Sequence, residues 1–361
     1  MKKTLLSLLL LMAALTGCAS QRTRPAGNPE PVYYPPAPSQ PRLQYLYSIN
    51  SEKDLGKAES ALHQFIFGVL PPEHVVGYAY SIAAGPGKIY FVDRSTNRLL
   101  AINLAEKRMD EVQSRGRGAL QNPSGICLDP RGNVYVADMG RKQVVVFGPD
   151  GSYSREYGGP DIMGKPVDAA VSMDRLYVCD YDKNRVLVMD LASGKVLRTV
   201  GELGSDPGRF YKPTHLATDA EGNLYVNDSF NSRVQKFDSE GKQVQSFGKI
   251  GDLPGNFVRP KGIAVSREGQ LYALDAAFEN AQIFDANTGQ LLLDFGGPGT
   301  GPGNMYLPSG ICLDYDNAEY FSGFFGPNFR VRYLVWVTNR FGDNKINIYG
   351  FGDLAEPVAA R

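Results

Sequence analysis

KPTHLATDAEGNLYVNDSFNSRVQKFDSEGKQVQSFG, residues 212–248, decides the fold of this 361-residue chain. Its second residue is Pro213, which sheets tolerate at the start of a strand or on an edge. Leu216-Ala217-Thr218 then reads as a short strand, Asp219 to Asn223 as a turn carrying Gly222, and Leu224 to Asp228 as a strand of the form aromatic-x-x-Asp. A loop leads to a third strand at Arg233 to Phe237, a turn at Gly241 and a fourth strand ending near Phe247. Four short strands joined by tight turns make one antiparallel sheet.

Working outward, the aromatic-x-x-Asp unit recurs at Tyr90-Asp93, Tyr135-Asp138, Tyr177-Asp180, Tyr225-Asp228 and Tyr272-Asp275, at spacings of 45, 42, 48 and 47 residues. A sixth copy, Trp336 to Asn339, follows after 64 residues. Periods of this length belong to stacked or circular repeat architectures. The unit 212–248 and its five relatives resemble NHL-type repeats in the pattern P-x-G-I-A-V-D, G-N-x-Y-V-x-D, N-x-R-V and a strand ending near F-G. The resemblance covers about residues 76–352. It implies an all-β fold, a six-bladed β-propeller of NHL-like four-stranded blades. WD-type repeats fit less well, because their Gly-His and Trp-Asp signatures are missing.

Blade six runs out after its third strand at Lys345 to Phe351, and an unpaired edge is a hazard. The strand-like segment Leu43 to Ile49 has no other partner, so the reading assigns it as the N-terminal strand that closes the ring. Glu52 to Phe67 has apolar residues at near-helical spacing and is expected to form a short helix over the ring.

Residues 1–17 read as an export signal: Lys2 and Lys3 precede an apolar run, Leu5 to Leu15, that is too short to span a bilayer. The run ends in Leu15-Thr16-Gly17-Cys18, which resembles a bacterial lipobox. The resemblance implies cleavage before Cys18, lipidation there and, since Ala19 is not Asp, sorting to the outer membrane of the cell envelope. Residues 18–41 hold seven prolines and read as an extended tether, leaving 42–361 as the propeller. In Tyr33-Tyr34 no docking motif is needed beyond that tether.

Composition narrows the function. With 38 basic and 38 acidic residues and no basic blocks, a nucleic-acid binder is excluded. With 3 His and no Cys-x-x-Cys pair, neither a metal site nor a cofactor is expected. Cys127, Cys179 and Cys312 remain after lipidation, an odd number, and the first and last lie in blades that are not neighbours. The carboxylates Asp93, Asp138, Asp180, Asp228 and Asp275 recur in five of the six blades, with Asn339 in the sixth, so a structural capping role is assigned to them. Arg98, Arg185 and Arg233 are read as pairing with neighbouring blades.

Functional candidates are residues that break a column of the repeat. Before the apolar pair of the first strand the blades read Ser81, Gly125, Asp168, His215, Gly262 and Gly310, so Asp168 and His215 stand where Gly is usual. Lys165, Lys212, Arg259 and Lys261 flank the neighbouring prolines and form a basic arc on the same face, able to dock an anion or an acidic partner. The insertion 316–332 in blade six carries Tyr320, Phe321, Phe324, Phe325 and Phe329, which suggest a docking loop unless the loop folds back to cover a blade. The leading expectation is a lipid-anchored module without catalytic residues that docks an envelope protein or exported polymer. The alternative is a propeller enzyme of the metal-dependent lactonase or lyase type.

Overall fold

In the computed structural model, which describes residues 30–56, 74–112 and 115–355, each blade can be built from its turns. In blade four, Asp219 accepts hydrogen bonds from the Asn223 N–H at 2.8 Å and the Asn223 side chain at 2.7 Å, and the Tyr225 hydroxyl reaches the same carboxylate at 3.1 Å. Gly222 between them has φ +83°, a conformation that costs glycine nothing. Asp129, Asn133, Tyr135 and Gly132 repeat this knot in blade two. The turn chemistry joins innermost strand Pro213–Thr218 to Leu224–Asp228, and Arg233–Phe237 and Gln243–Phe247 complete the sheet.

Five such four-stranded sheets and one five-stranded sheet make up the molecule. Their innermost strands, Ala79–Gly85, Pro123–Leu128, Pro166–Ser172, Pro213–Thr218, Pro260–Val265 and Pro308–Asp314, each lie against the next, and the last lies against the first. The fold is therefore a closed six-bladed β-propeller. A Cβ at Gly262 would stand 2.7 Å from the Ser309 carbonyl oxygen, and one at Gly310 2.7 Å from that of Tyr80. At Gly262 and Gly310 a neighbouring backbone passes too close for a side chain.

The ring closes as expected. Leu43–Ile49 pairs antiparallel with Ile346–Leu354, from Leu43 opposite Phe351 to Ile49 opposite Ile346. One difference is upstream: Tyr33–Tyr34 adds a fifth strand, with Tyr33 opposite Gln44 and Tyr34 opposite Leu43. The Tyr34 ring packs at 6.1 Å from Phe295 and 6.3 Å from Tyr349, so the end of the proline-rich segment belongs to the propeller instead of acting as spacer. Apolar ring burial outweighs the extended preference of the prolines around it.

The aromatic insertion folds back. Ala318–Phe324 forms a 3-10 turn, Phe321, Phe324 and Phe329 are buried, and Tyr320 and Phe325 pack half-buried on the same cluster. The Gln44 amide fastens this loop to the closing strand, donating to the Phe324 carbonyl at 2.9 Å and accepting from the Gly326 N–H at 2.8 Å. The docking-loop expectation is corrected accordingly, because buried rings present nothing to a partner. The arginines differ too: Arg185 and Arg233 bind Asp180 and Asp228 of their own blades, and Arg98 binds Glu111 of its own blade. All three cysteines of the described residues are free thiols. Of the expected helix, Glu52–Leu55 forms a short 3-10 turn, and residues 57–73 lie outside the described residues.

Candidate functional site at the mouth of the channel

The loops that lead into each innermost strand and those that leave each second strand share one face, as the meander order requires. The recurring aspartates tie these loops together. Asp228 accepts from the Tyr211 N–H at 2.7 Å and from the Asn231 and Arg233 side chains. Asp93, Asp138, Asp180 and Asp275 likewise receive backbone N–H groups of the preceding loop. Their lone pairs are consumed by the scaffold, which is the structural role assigned to them.

Asp168 and His215 behave differently. Asp168 is buried, accepts the Leu216 N–H at 2.9 Å, and lies over Gly125, where a Cβ would stand 2.6 Å from the Asp168 Cα. Blades two, three and four thus meet at this carboxyl. Burial raises its pKa to about 7, against the two backbone N–H groups of Leu216 and Ala169 that lower it. His215 is buried as well, and burial, assisted by the charge of Lys261, lowers its pKa to about 3. Its Nδ1 lies 3.0 Å from Thr214 Oγ1, a contact that suits either tautomer, while Nε2 has no hydrogen-bond partner. The neighbouring Asn227 spends its amide N–H groups on Thr214, Pro260 and Lys261, and its Oδ1 is also unpartnered.

Opposite His215 stands Tyr80, with ring centroids 5.9 Å apart. Tyr80 belongs to blade one and His215 to blade four, so the contact can be made only across the propeller axis. Burial pushes the Tyr80 phenol far above its ordinary range, leaving it a neutral hydrogen-bond donor. Around it, the Arg94 guanidinium lies 5.0 Å from the Tyr80 ring, Tyr78 packs edge-on at 5.8 Å, and Arg340 lies 5.2 Å from the Tyr78 ring.

The expected basic arc divides in two. Lys165 and Lys212 both lie over Tyr181, at 5.2 and 4.5 Å, and Lys212 pairs with Asp182 at 3.7 Å. Arg259 and Lys261 join Arg340 instead: burial lowers the Lys261 pKa, and the charges of Arg259 and Arg340 lower it further against the attraction of Asp275. Reading the sequence by columns missed Tyr78, Tyr80, Arg94 and Arg340, although the signal was there. The residue after the strand-opening Pro or Ala reads Tyr80, Ser124, Val167, Thr214, Lys261 and Ser309, and the one after the capping Asp or Asn reads Arg94, Met139, Tyr181, Ser229, Ala276 and Arg340.

No group of three or more His, Cys, Asp or Glu side chains that could hold a metal ion occurs among the described residues. Asp168 and His215 therefore have no third ligand of these types beside them for the metal of the metal-dependent alternative. A hollow of about 470 Å³ lies off the axis between blades two and three, walled by Lys142, Asp161, Ile162, Asp182 and Lys183. It has the exposed, solvated charges of a surface and none of the unpartnered buried atoms of the mouth.

Residues 120–147 match the NHL repeat family. In sequence, the chain is 27% identical over 145 residues, 40% of its length, to a probable peptidyl-alpha-hydroxyglycine alpha-amidating lyase of Caenorhabditis elegans. It spans about 30% of the length of that relative. In structure, it is similar to a virginiamycin B lyase from Staphylococcus aureus (TM-score 0.52, 16% identity, 76% of this chain and 95% of that one). It is also similar to a gluconolactonase from Xanthomonas campestris (TM-score 0.53, 15% identity, 87% and 99%). At these identities the solved structures speak for the fold alone. The expectation that such a propeller offers surface and no chemistry is overturned by the sequence relative, which is named as a lyase. The chain is a six-bladed β-propeller with an NHL repeat, and over 40% of its length it is similar in sequence to a probable amidating lyase.

Proposed function

We propose that the protein is a propeller enzyme of the lyase type, working at the channel mouth, exported and held at the bacterial envelope by a lipid on Cys18. One observation carries the catalytic reading: His215 Nε2 is buried, unpartnered and set under Tyr80 at the axis, beside a carboxyl whose pKa is about 7. Leaving a buried polar atom unsatisfied costs on the order of 1–3 kcal/mol, and such atoms call for an explanation. A substrate that hydrogen-bonds Nε2 supplies one.

An elimination needs a group that takes a proton, a bond that breaks, and a group that returns a proton to the leaving atom. Asp168, poised near neutrality, can do both in turn: as carboxylate it accepts the substrate proton, and as carboxylic acid it delivers that proton to the departing nitrogen or oxygen. The electron pair of the broken C–H or O–H bond forms the new double bond and expels the leaving group. Neutral His215 and the Tyr80 phenol hydrogen-bond and orient the substrate, and the nearby cations stabilise the oxyanion that develops. No step is assigned to a metal.

The test is turnover by the purified protein of a peptidyl α-hydroxyglycine and, in parallel, of a δ-lactone. Asp168→Asn is expected to lower kcat by about a hundredfold or more, in line with the loss of a general acid-base, with an unchanged circular dichroism spectrum. Turnover of neither substrate, or full activity in Asp168→Asn, rejects the proposal. Faster turnover of the lactone would favour the lactonase form of the same site.

A further inference from the structure

The cations at the mouth lack the carboxylates that usually accompany exposed Lys and Arg. Among the described residues, Arg94, Arg259, Lys261 and Arg340 have no acidic side chain within salt-bridge distance, whereas Arg185, Arg209, Lys212 and Arg233 do. The nearest carboxylates are committed elsewhere. Asp275 is filled by the N–H groups of Val258, Arg259 and Ala277, and Asp168 receives Leu216. Arg259 and Arg340 repel Lys261, which is largely withdrawn from water, and Asp275 is the one carboxylate that attracts it.

Holding four cations about a single carboxylate is unfavourable unless a further anion joins them. The position of the gap is defined by contacts that run Arg340, Tyr78, Tyr80, His215, with Arg94 beside Tyr80. His215 Nε2 provides the independent observation: a buried, unpartnered polar atom at the foot of the same cluster. Beyond the cations, the face carries two exposed aromatic pairs, Tyr211 with Phe230 at 5.3 Å and Tyr306 with Phe341 at 5.5 Å. Apolar rings beside a charged mouth suit a ligand that is anionic at one end and apolar along its body.

We propose that the channel mouth binds an organic carboxylate, its charge held by Lys261, Arg340 and Arg94 and its apolar body lying on the Tyr306–Phe341 or Tyr211–Phe230 rings. This rests on the enzymatic reading only in making that carboxylate the substrate's own; the binding site stands on its own geometry.

The experiment is calorimetric titration of the full folded domain, carrying Asp168→Asn so that nothing turns over, with N-acetylphenylalanine, its uncharged amide, and inorganic phosphate. The acid is expected to bind at least tenfold more tightly than the amide and than phosphate. That preference should fall to near unity in Arg340→Gln, an exposed site where folding is not at stake, and in Lys261→Met. Equal binding of acid and amide, phosphate binding as tightly as the acid, no binding of any probe, or an undiminished preference in both variants overturns the proposal. Carboxylate binding without turnover by the unmutated protein would sink the enzymatic reading alone, and turnover without carboxylate preference would sink this one alone.

Discussion

His215 and Asp168 place opposite demands on folding as pH changes. In the unfolded chain His215 titrates near 6.5, but in the folded protein it stays neutral to about 3. Stability is therefore lost as pH falls through that interval, because only the unfolded state takes up the proton. Asp168 titrates near 3.8 when unfolded and near 7 when folded, so its contribution runs the other way: stability is lost as pH rises from about 4 to 7. Asp168→Asn, which mimics the protonated acid, should therefore match the wild-type Tm at pH 4 and exceed it by several degrees at pH 8. A lower Tm at pH 8 would mean that the carboxylate is stabilised by a contact that this geometry lacks. A gain in stability joined to a loss of turnover is what a strained functional group predicts. The cysteines enter no such balance, since burial raises the thiols of Cys127, Cys179 and Cys312 far above their ordinary range and keeps them unreactive.

At the scale of the element, the closing strand and the blade-six insertion form one device. Leu43 and Ile49 are fully buried, and Gln44 holds the insertion through two hydrogen bonds. Leu43→Ala should destabilise the domain by about 2–5 kcal/mol, the range for a buried leucine whose site cannot collapse, measured by denaturant melts. Phe321 packs at 5.5 Å from the buried Trp336, so Phe321→Ala should cost about 3–5 kcal/mol while leaving the acid-to-amide binding ratio at the mouth unchanged. A changed ratio would show that the insertion, which joins the first and second strands of blade six at the opposite face, communicates with the site. Five aromatic residues in a glycine-rich insertion could be read in the sequence as either docking surface or cover. The pairing of Gln44 with the insertion, some 280 positions away in the chain, made it cover, and no local pattern encodes that contact.

Across the whole molecule, closure by the N-terminal strand makes the six blades one cooperative unit: deleting residues 30–49 should abolish the single unfolding transition, whereas a chain beginning at residue 30 should keep it. Envelope anchoring is a separate matter at this scale. Cys18→Ala should abolish incorporation of radiolabelled palmitate and release the protein from membranes without altering its melt. The sequence alone determined the repeat, the blade count and the need for a closing strand, because each is written in local turn chemistry and two-residue periodicity repeated at a fixed spacing. It also marked Asp168 and His215, since a column that is otherwise Gly or Ser makes an ionisable residue conspicuous. Only the tertiary structure decided that Tyr80 reaches His215 across the axis, that Lys212 pairs with Asp182 while Lys261 has no carboxylate within salt-bridge distance, and that Tyr33–Tyr34 joins the last sheet. These are contacts between residues far apart in the chain. Ring closure sets their distances, and sequence spacing carries no information about which side chains meet at the centre of a circle.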